Sequence, residues 1–232
     1  MGIDLQANQD FLKEVGRRSG IDLLGVADIR KQQGCFYELP GELLARLFFA
    51  VVIGVRVSPT VLDTLKDGPN AIYYHHYRQL NFLLDRVALK IAGEIEKLGY
   101  GALPIPASQI IDWNKMIGHA SHKKLAQLAG LGWRGRNNLL VTEKWGAQLR
   151  LASILTDFPL EPSDPVQRDC GSCQACLSAC PAKAIKEEIT AFDYIACYNQ
   201  LKEFARTLHR GQHICGLCVK ACCGSGTDER KI

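Results

Sequence analysis

Apolar positions recur along this chain with two periods, and they divide the part before residue 163 into helices and strands. Phe11, Leu12 and Val15 stand at helical spacing among charges, which predicts an amphipathic helix over 7–19 that Gly20 ends. Residues 21–26 read as a short buried strand, and residues 34–44 fit neither period. Residues 48–57 are apolar and β-branched almost throughout, as in a strand covered on both faces and therefore central in a sheet. A turn and short helix over 59–68 lead into a long helix, whose stripe of Leu80, Leu83, Leu84, Val87, Ile91, Ile95 and Leu98 runs until Gly99. Residues 102–105 predict a strand that Pro104 and Pro106 push to an edge. Ser121 is expected to cap a helix ending at Leu128, and 139–142 and 149–155 read as strands joined near Gly146.

Pro159, Pro162 and Pro165 mark a linker, so the expected organisation is two domains, 1–162 and 163–232. A length of 232 residues suits one medium and one small domain, and an apolar share of 47% builds a core without disulfides. The first ten residues carry acids and amides rather than a basic segment followed by an apolar one, so no signal peptide is expected. The longest apolar run, 47–55, falls short of the roughly 20 residues that span a bilayer. A soluble, cytoplasmic protein without a membrane partner is expected, its thiols reduced unless metal-bound. The net charge of +4 is dispersed among acids, which argues against a nucleic-acid-binding arm.

The cysteines change this picture. Cys170, Cys173, Cys176 and Cys180 are spaced C-x2-C-x2-C-x3-C before Pro181, and Cys215, Cys218 and Cys222 repeat the C-x2-C-x3-C ending after Cys197. The first run has the spacing of bacterial two-cluster ferredoxins, in which three thiolates wrap one face of a [4Fe–4S] cube and the fourth ligates the other cube. On that pattern Cys222 completes the set Cys170, Cys173 and Cys176, while Cys180, Cys197, Cys215 and Cys218 form the second. Zinc or a set of disulfides is the alternative use of such spacings. Cys223 competes with Cys222 for its place, and Cys35 reads as a packed thiol. Residues 182–186 are expected to start a short helix.

Two clusters make an electron wire, and the preceding domain is large enough to hold its terminus. Tyr73, Tyr74, His75, His76 and Tyr77 gather proton-transfer groups at the start of the long helix, although aromatic packing explains them equally well. Gly130, Gly132 and Gly135 make a backbone that a flat or anionic ligand can approach closely, without the lysine and hydroxyl of a P-loop.

The run Ala129-Gly130-Leu131-Gly132-Trp133-Arg134-Gly135-Arg136-Asn137, followed by Ile154-Leu155-Thr156-Asp157, Pro159-Leu160 and Asp169-Cys170-Gly171, resembles epoxyqueuosine reductases over nearly the whole chain. The resemblance implies an α/β (α+β) chain: a nitroreductase-like corrinoid-binding sheet-and-helix domain, related to that of reductive dehalogenases, followed by a bacterial two-[4Fe–4S] ferredoxin domain. It also implies cobalamin reduced by the clusters, with Ser108, Gly132, Trp133, Arg134, Gly135 and Asn137 facing the corrin. An acidic proton donor of the family aligns here with Ala107 or, on a second alignment, with Met116, and neither side chain donates a proton. His122, then Asp112 and His119, are the candidates for that role. The family's chains continue into a helical-repeat region that holds tRNA, whereas this one stops at Ile232, and Cys222-Cys223-Gly224 replaces a Cys-Pro ending.

The expected function is therefore an oxidoreductase that draws electrons from a ferredoxin or flavodoxin and reduces a small molecule or the corrinoid itself. Epoxyqueuosine reduction on tRNA is the second reading. A ferredoxin-type carrier with a partner-docking N-terminal domain is the third.

Overall fold

The Asp4 carboxylate accepts from the backbone N–H of Ala7 at 3.0 Å and so caps the first helix, α1 (Leu5–Arg18), at its N-terminus. The structure, a computed structural model, describes residues 4–208 and 211–224, and Ile232 lies outside them. After α1 come β1 (Leu23–Asp28), α2 (Gly41–Leu44), β2 (Phe49–Arg56), α3 (Pro59–Asp63), α4 (Ala71–Lys97), β3 (Ala102–Ile105) and α5 (His122–Leu128). Then follow β4 (Trp133–Arg134), β5 (Leu140–Val141), β6 (Leu149–Thr156), α6 (Ala175–Ser178), α7 (Tyr194–Thr207) and α8 (Leu217–Ala221). None of the described helices is long and apolar enough to cross a membrane.

The chain forms two compact units. One comprises Met1–Val55, Leu80–Leu131 and Arg150–Val166, and the other Arg56–Gln79, Gly132–Leu149 and Gln167–Ile232. The second unit thus draws on two segments that precede the proline-rich stretch, in addition to the cysteine-bearing residues.

The first unit is built on a four-stranded sheet of order β1-β2-β6-β3. β1 and β2 pair antiparallel, with Gly25 opposite Val52, and β3 and β6 pair antiparallel, with Leu103 opposite Leu155. Between β2 and β6, the Phe48 N–H donates to Thr156 O and the Val57 N–H to Gln148 O, which is again an antiparallel sense. β2 is interior and buried along six consecutive residues, so both of its faces are covered, while proline-bearing β3 takes an edge. Leu84, Val87, Ile91 and Ile95 of α4 pack with Val51, Ile53, Ala152 and Ile154 of the sheet and with Leu12 of α1. Each such side chain contributes about 1.5–3 kcal/mol by burial, and truncating Ile91 to alanine would cost about 2–5 kcal/mol. On β1, a β-carbon at Gly25 would stand 2.6 Å from Ala129 O, so glycine lets the end of α5 lie directly on the strand.

Three local expectations come out differently. β5 pairs with β4 in a separate two-stranded sheet rather than with β6. Residues 182–186 form no helix: Lys183 has a φ of 49°, the Ala184 N–H donates to Cys180 Sγ at 3.4 Å, and Ala184 O accepts from Asp193 N at 2.9 Å. That backbone is committed to the cysteine loop and cannot close a helical turn. Ser121 does occupy the position before α5, but its side chain makes no capping hydrogen bond.

Candidate functional site

All eight spaced cysteines lie in the second unit, brought there by short elements and by α7. A turn closed by Cys173 N donating to Cys170 O leads to α6, which carries Cys176 and packs against α8, which carries Cys218. α7 is capped by the Asp193 carboxylate, which accepts from Ala196 N at 2.9 Å, and it brings in Cys197. Gly216, at a φ of 89°, has no room for a side chain, because a β-carbon there would meet the Tyr73 ring at 2.7 Å. Tyr73 is itself buried, so the start of α4 serves as packing for the second cysteine loop.

The electrostatics show which of these thiols lie near one another. Cys222 is pushed up to about 12, first by burial and then by Cys176, Cys170 and Cys173. Cys215 is pushed up to about 11 by burial and by Cys197 and Cys180. Cys218 is raised by burial and by Cys215, Cys197 and Cys180, with a further contribution from Cys176. Cys222 thus has Cys170, Cys173 and Cys176 as electrostatic neighbours, Cys215 has Cys180 and Cys197, and Cys218 feels both groups. Crowded, buried sulfurs of this kind stay protonated unless a positive centre neutralises them, and an iron–sulfur cube takes its ligands as thiolates. A backbone N–H group already reaches one of the sulfurs: that of Ala184 donates to Cys180 Sγ at 3.4 Å. Among the described residues, no three His, Cys, Asp or Glu side chains converge tightly enough for a single metal ion. The donor set of eight thiols, spaced as in two-cluster ferredoxins, fits two four-iron cubes, which spread their thiolates over four corners.

From Gly132 onward the glycine-rich loop belongs to this second unit, and it binds the first cysteine run. The Arg136 guanidinium donates to Glu187 O at 2.7 Å, Gly171 O at 2.8 Å and Cys173 O at 2.9 Å. A β-carbon at Gly135 would stand 3.6 Å from Cys170 Sγ and 2.5 Å from Val141 Cγ2, so the bare backbone fills that space. Gly132 approaches Val141 O too closely for any side chain, and Arg134 Nε donates to Asn138 Oδ1 at 3.1 Å. Trp133 Nε1 and Asn137 Nδ2 are buried donors without a protein partner among the described residues. At the other end of the module, Gly146 and Gly224 meet backbone to backbone, and the Ala147 N–H donates to Cys222 O at 3.0 Å, so the Cys222-Cys223-Gly224 ending is held without a proline. Cys223 is exposed beside it, whereas Cys35 is buried and its thiol raised by that burial.

The first unit holds a cavity of about 150 Å³, lined among others by Ala107, Ser108, Met116, Gly118, His119 and His122. Both positions that align with the family's acid, Ala107 and Met116, line this one space. Met116 holds a φ of 54°, unusual for a side chain of its size. Ala107 is pinned through its backbone: its N–H donates to Asp85 Oδ1 at 2.8 Å and its carbonyl accepts from Arg150 Nη2 at 3.4 Å. Arg150 Nε also donates to buried Asn81 at 3.0 Å. Neither Asp85 nor Arg150 stands out in a helix–strand reading, but each is a charge set into an apolar stripe, which is the signal they carry.

The three proton-transfer candidates occupy different situations. His122 Nε2 lies 2.9 Å from Pro106 O and Nδ1 2.9 Å from Ser153 Oγ. A carbonyl only accepts, so Nε2 carries the proton and Nδ1 accepts from the serine hydroxyl. Burial pushes this imidazole down to about 4, against the raising effect of the Pro106 hydrogen bond, and Arg150 lowers it further. Asp112 lies outside the cavity lining, in a turn where its carboxylate accepts from Lys115 N, Asn114 N and the Tyr37 hydroxyl. Those hydrogen bonds, the Lys115 N–H first, hold it below the usual carboxylate range. His119 lines the cavity and donates from Nδ1 to Tyr37 O at 3.2 Å, which leaves Nε2 without a protein partner among the described residues. His76 is elsewhere: its Nε2 accepts from Ser58 N at 3.0 Å, and burial, followed by neighbouring His75, lowers its pKa.

No protein-family model matches the chain. It is 35% identical over 132 residues to an epoxyqueuosine reductase of Aliivibrio fischeri, a match covering 54% of this chain and 32% of that protein. It is 36% identical over 138 residues to a tetrachloroethene reductive dehalogenase of Desulfitobacterium hafniense, covering 58% of this chain and 21% of that one. Among solved structures, a catabolic reductive dehalogenase superposes with a TM-score of 0.76 at 21% identity, over 95% of this chain and 32% of its own. The chain thus spans about a third or less of the length of these relatives. It is thus similar both to epoxyqueuosine reductases and to reductive dehalogenases.

Proposed function

We propose that this chain is an iron–sulfur oxidoreductase in which two [4Fe–4S] clusters pass low-potential electrons, one at a time, to a corrinoid, for reduction of a small molecule or of the corrinoid itself. The observation that carries the reading is the gathering of eight spaced thiols in one unit, with Cys222 beside Cys170, Cys173 and Cys176, and Cys215 beside Cys180 and Cys197. A corrinoid, when bound, supplies a cobalt centre that can be reduced to a nucleophilic low-valent state. Support for it comes from likeness: a solved reductive dehalogenase of similar fold is described as carrying out B12-dependent dehalogenation. The cavity beside Ala107 is smaller than the roughly 300 Å³ at which drug-sized sites begin, so it suits a small substrate group rather than a macrocycle.

Within that cavity His119 is the best-placed proton donor. Its Nδ1–H is anchored on a carbonyl, which fixes the ring and leaves Nε2 to give or take a proton. His122 orients the wall through Ser153 and Pro106, with both nitrogens engaged. The likeness to epoxyqueuosine reductases favours a second reading, reduction of a modified tRNA, since one such enzyme has been solved with a tRNA stem loop.

Anaerobic reconstitution followed by titration with cobalamin tests the proposal. Binding and cluster-dependent reduction of cobalt are the expected results. A protein that holds its iron but binds no cobalamin at high micromolar concentration would instead be a ferredoxin-type carrier. Restoration of queuosine in cells lacking the activity would favour the tRNA reading.

A further inference from the structure

Asn137 is buried, and its carboxamide is oriented by the backbone: the Leu139 N–H donates to Oδ1 at 3.2 Å. A flipped amide would set its NH2 group against that N–H, donor facing donor. The orientation is therefore fixed, and Nδ2 is left buried without a protein acceptor among the described residues. A buried donor in that state costs about 1–3 kcal/mol unless something outside the polypeptide accepts from it. A β-carbon placed on Gly135 would lie 2.8 Å from Asn137 Oδ1 and 3.6 Å from Cys170 Sγ. The carboxamide and the ligand sulfur thus flank one glycine, in a loop that Arg136 ties to Gly171 and Cys173.

We propose that the Asn137 NH2 group donates a hydrogen bond to a sulfur of the first cluster, either the Cys170 thiolate or an inorganic sulfide, and so raises that cluster's reduction potential. This rests on the two-cluster reading. One-electron reduction places added negative charge on the cluster sulfurs, and a donor stabilises the reduced form more than the oxidised one. Asn137 acts on the electron transfer through the cluster, as a positioning residue.

The test is an EPR-monitored redox titration, with dithionite as the reductant, of the reconstituted full chain and of its Asn137→Leu variant, with iron counted in each. One of the two midpoint potentials should move to more negative values in the variant, and the other should stay in place, at about eight irons per chain. Two unmoved potentials at full iron content would overturn the proposal. If the variant does not hold its iron, pulsed EPR decides on reduced wild-type protein carrying 15N only in its asparagine side-chain amides. A nitrogen coupling to one cluster is expected, and its absence would overturn the proposal. A wild-type chain that takes up no clusters at all would overturn both this inference and the reading beneath it.

Discussion

Arg136 Nη1 donates to the carbonyl oxygen of Cys173 across 2.9 Å, so a residue outside the cysteine run holds the run in shape. With its bonds to Gly171 and Glu187, one guanidinium closes three backbone acceptors that would otherwise need water. Replacing Arg136 with methionine keeps the apolar stem and removes the donors. The expected loss is about 1–3 kcal/mol of loop stability, since the released carbonyls can turn to solvent. Iron analysis should then find the first cluster depleted and the second retained.

Gly135→Ala asks the opposite question, adding one carbon instead of removing a charge. The new methyl would meet Val141 Cγ2 at 2.5 Å and Asn137 Oδ1 at 2.8 Å, and overpacking of this kind typically costs about 1–3 kcal/mol. The midpoint of urea denaturation should fall, and the cluster bands should bleach faster in air than in wild type.

The main sheet and its two long helices were readable because their residues repeat with periods of two and 3.6 over many positions. β2 is interior and β3 lies at an edge, as an unbroken apolar run and a proline pair respectively imply. The cysteine module was readable in the spacing of its thiols and opaque in its backbone. α6 and α8 are too short to display a stripe. The glycines of residues 130–135 announce a close approach without saying to what, and only the fold sets Gly135 against Cys170. The same limit hid Asp85 and Arg150, whose partner is the backbone of an alanine far away in sequence.

His122 makes a pH prediction whose sign follows from its lowered pKa of about 4. The unfolded chain binds a proton on this residue near pH 6.5, whereas the folded chain does not until about pH 4, so stability falls as the pH drops through that window. The loss is at most about 3 kcal/mol, complete below the folded pKa and absent above the unfolded one. Nitrogen NMR should find the ring neutral, with the proton on Nε2, at pH 5.5. A half-protonated ring at pH 6.5 would contradict the burial described here.

His119 and His122 should separate in their effects on turnover. With a reducible substrate in hand, His119→Leu should lower kcat by 10²–10⁴-fold while leaving iron content and cobalamin affinity near wild type. His122→Leu should instead lower thermal stability, because it leaves Ser153 Oγ and Pro106 O without their partner.

The proposed crossing of ligands between the two cysteine runs is the most direct thing to measure, by counting iron in paired serine variants after anaerobic reconstitution. Cys173 and Cys222 belong to one set, so the double variant Cys173→Ser, Cys222→Ser should lose one cluster and keep about four irons per chain. Cys173 and Cys180 belong to different sets despite standing in the same run, so Cys173→Ser, Cys180→Ser should lose both. The reverse outcome, with the Cys173 and Cys180 pair keeping four irons and the Cys173 and Cys222 pair keeping none, would contradict the account.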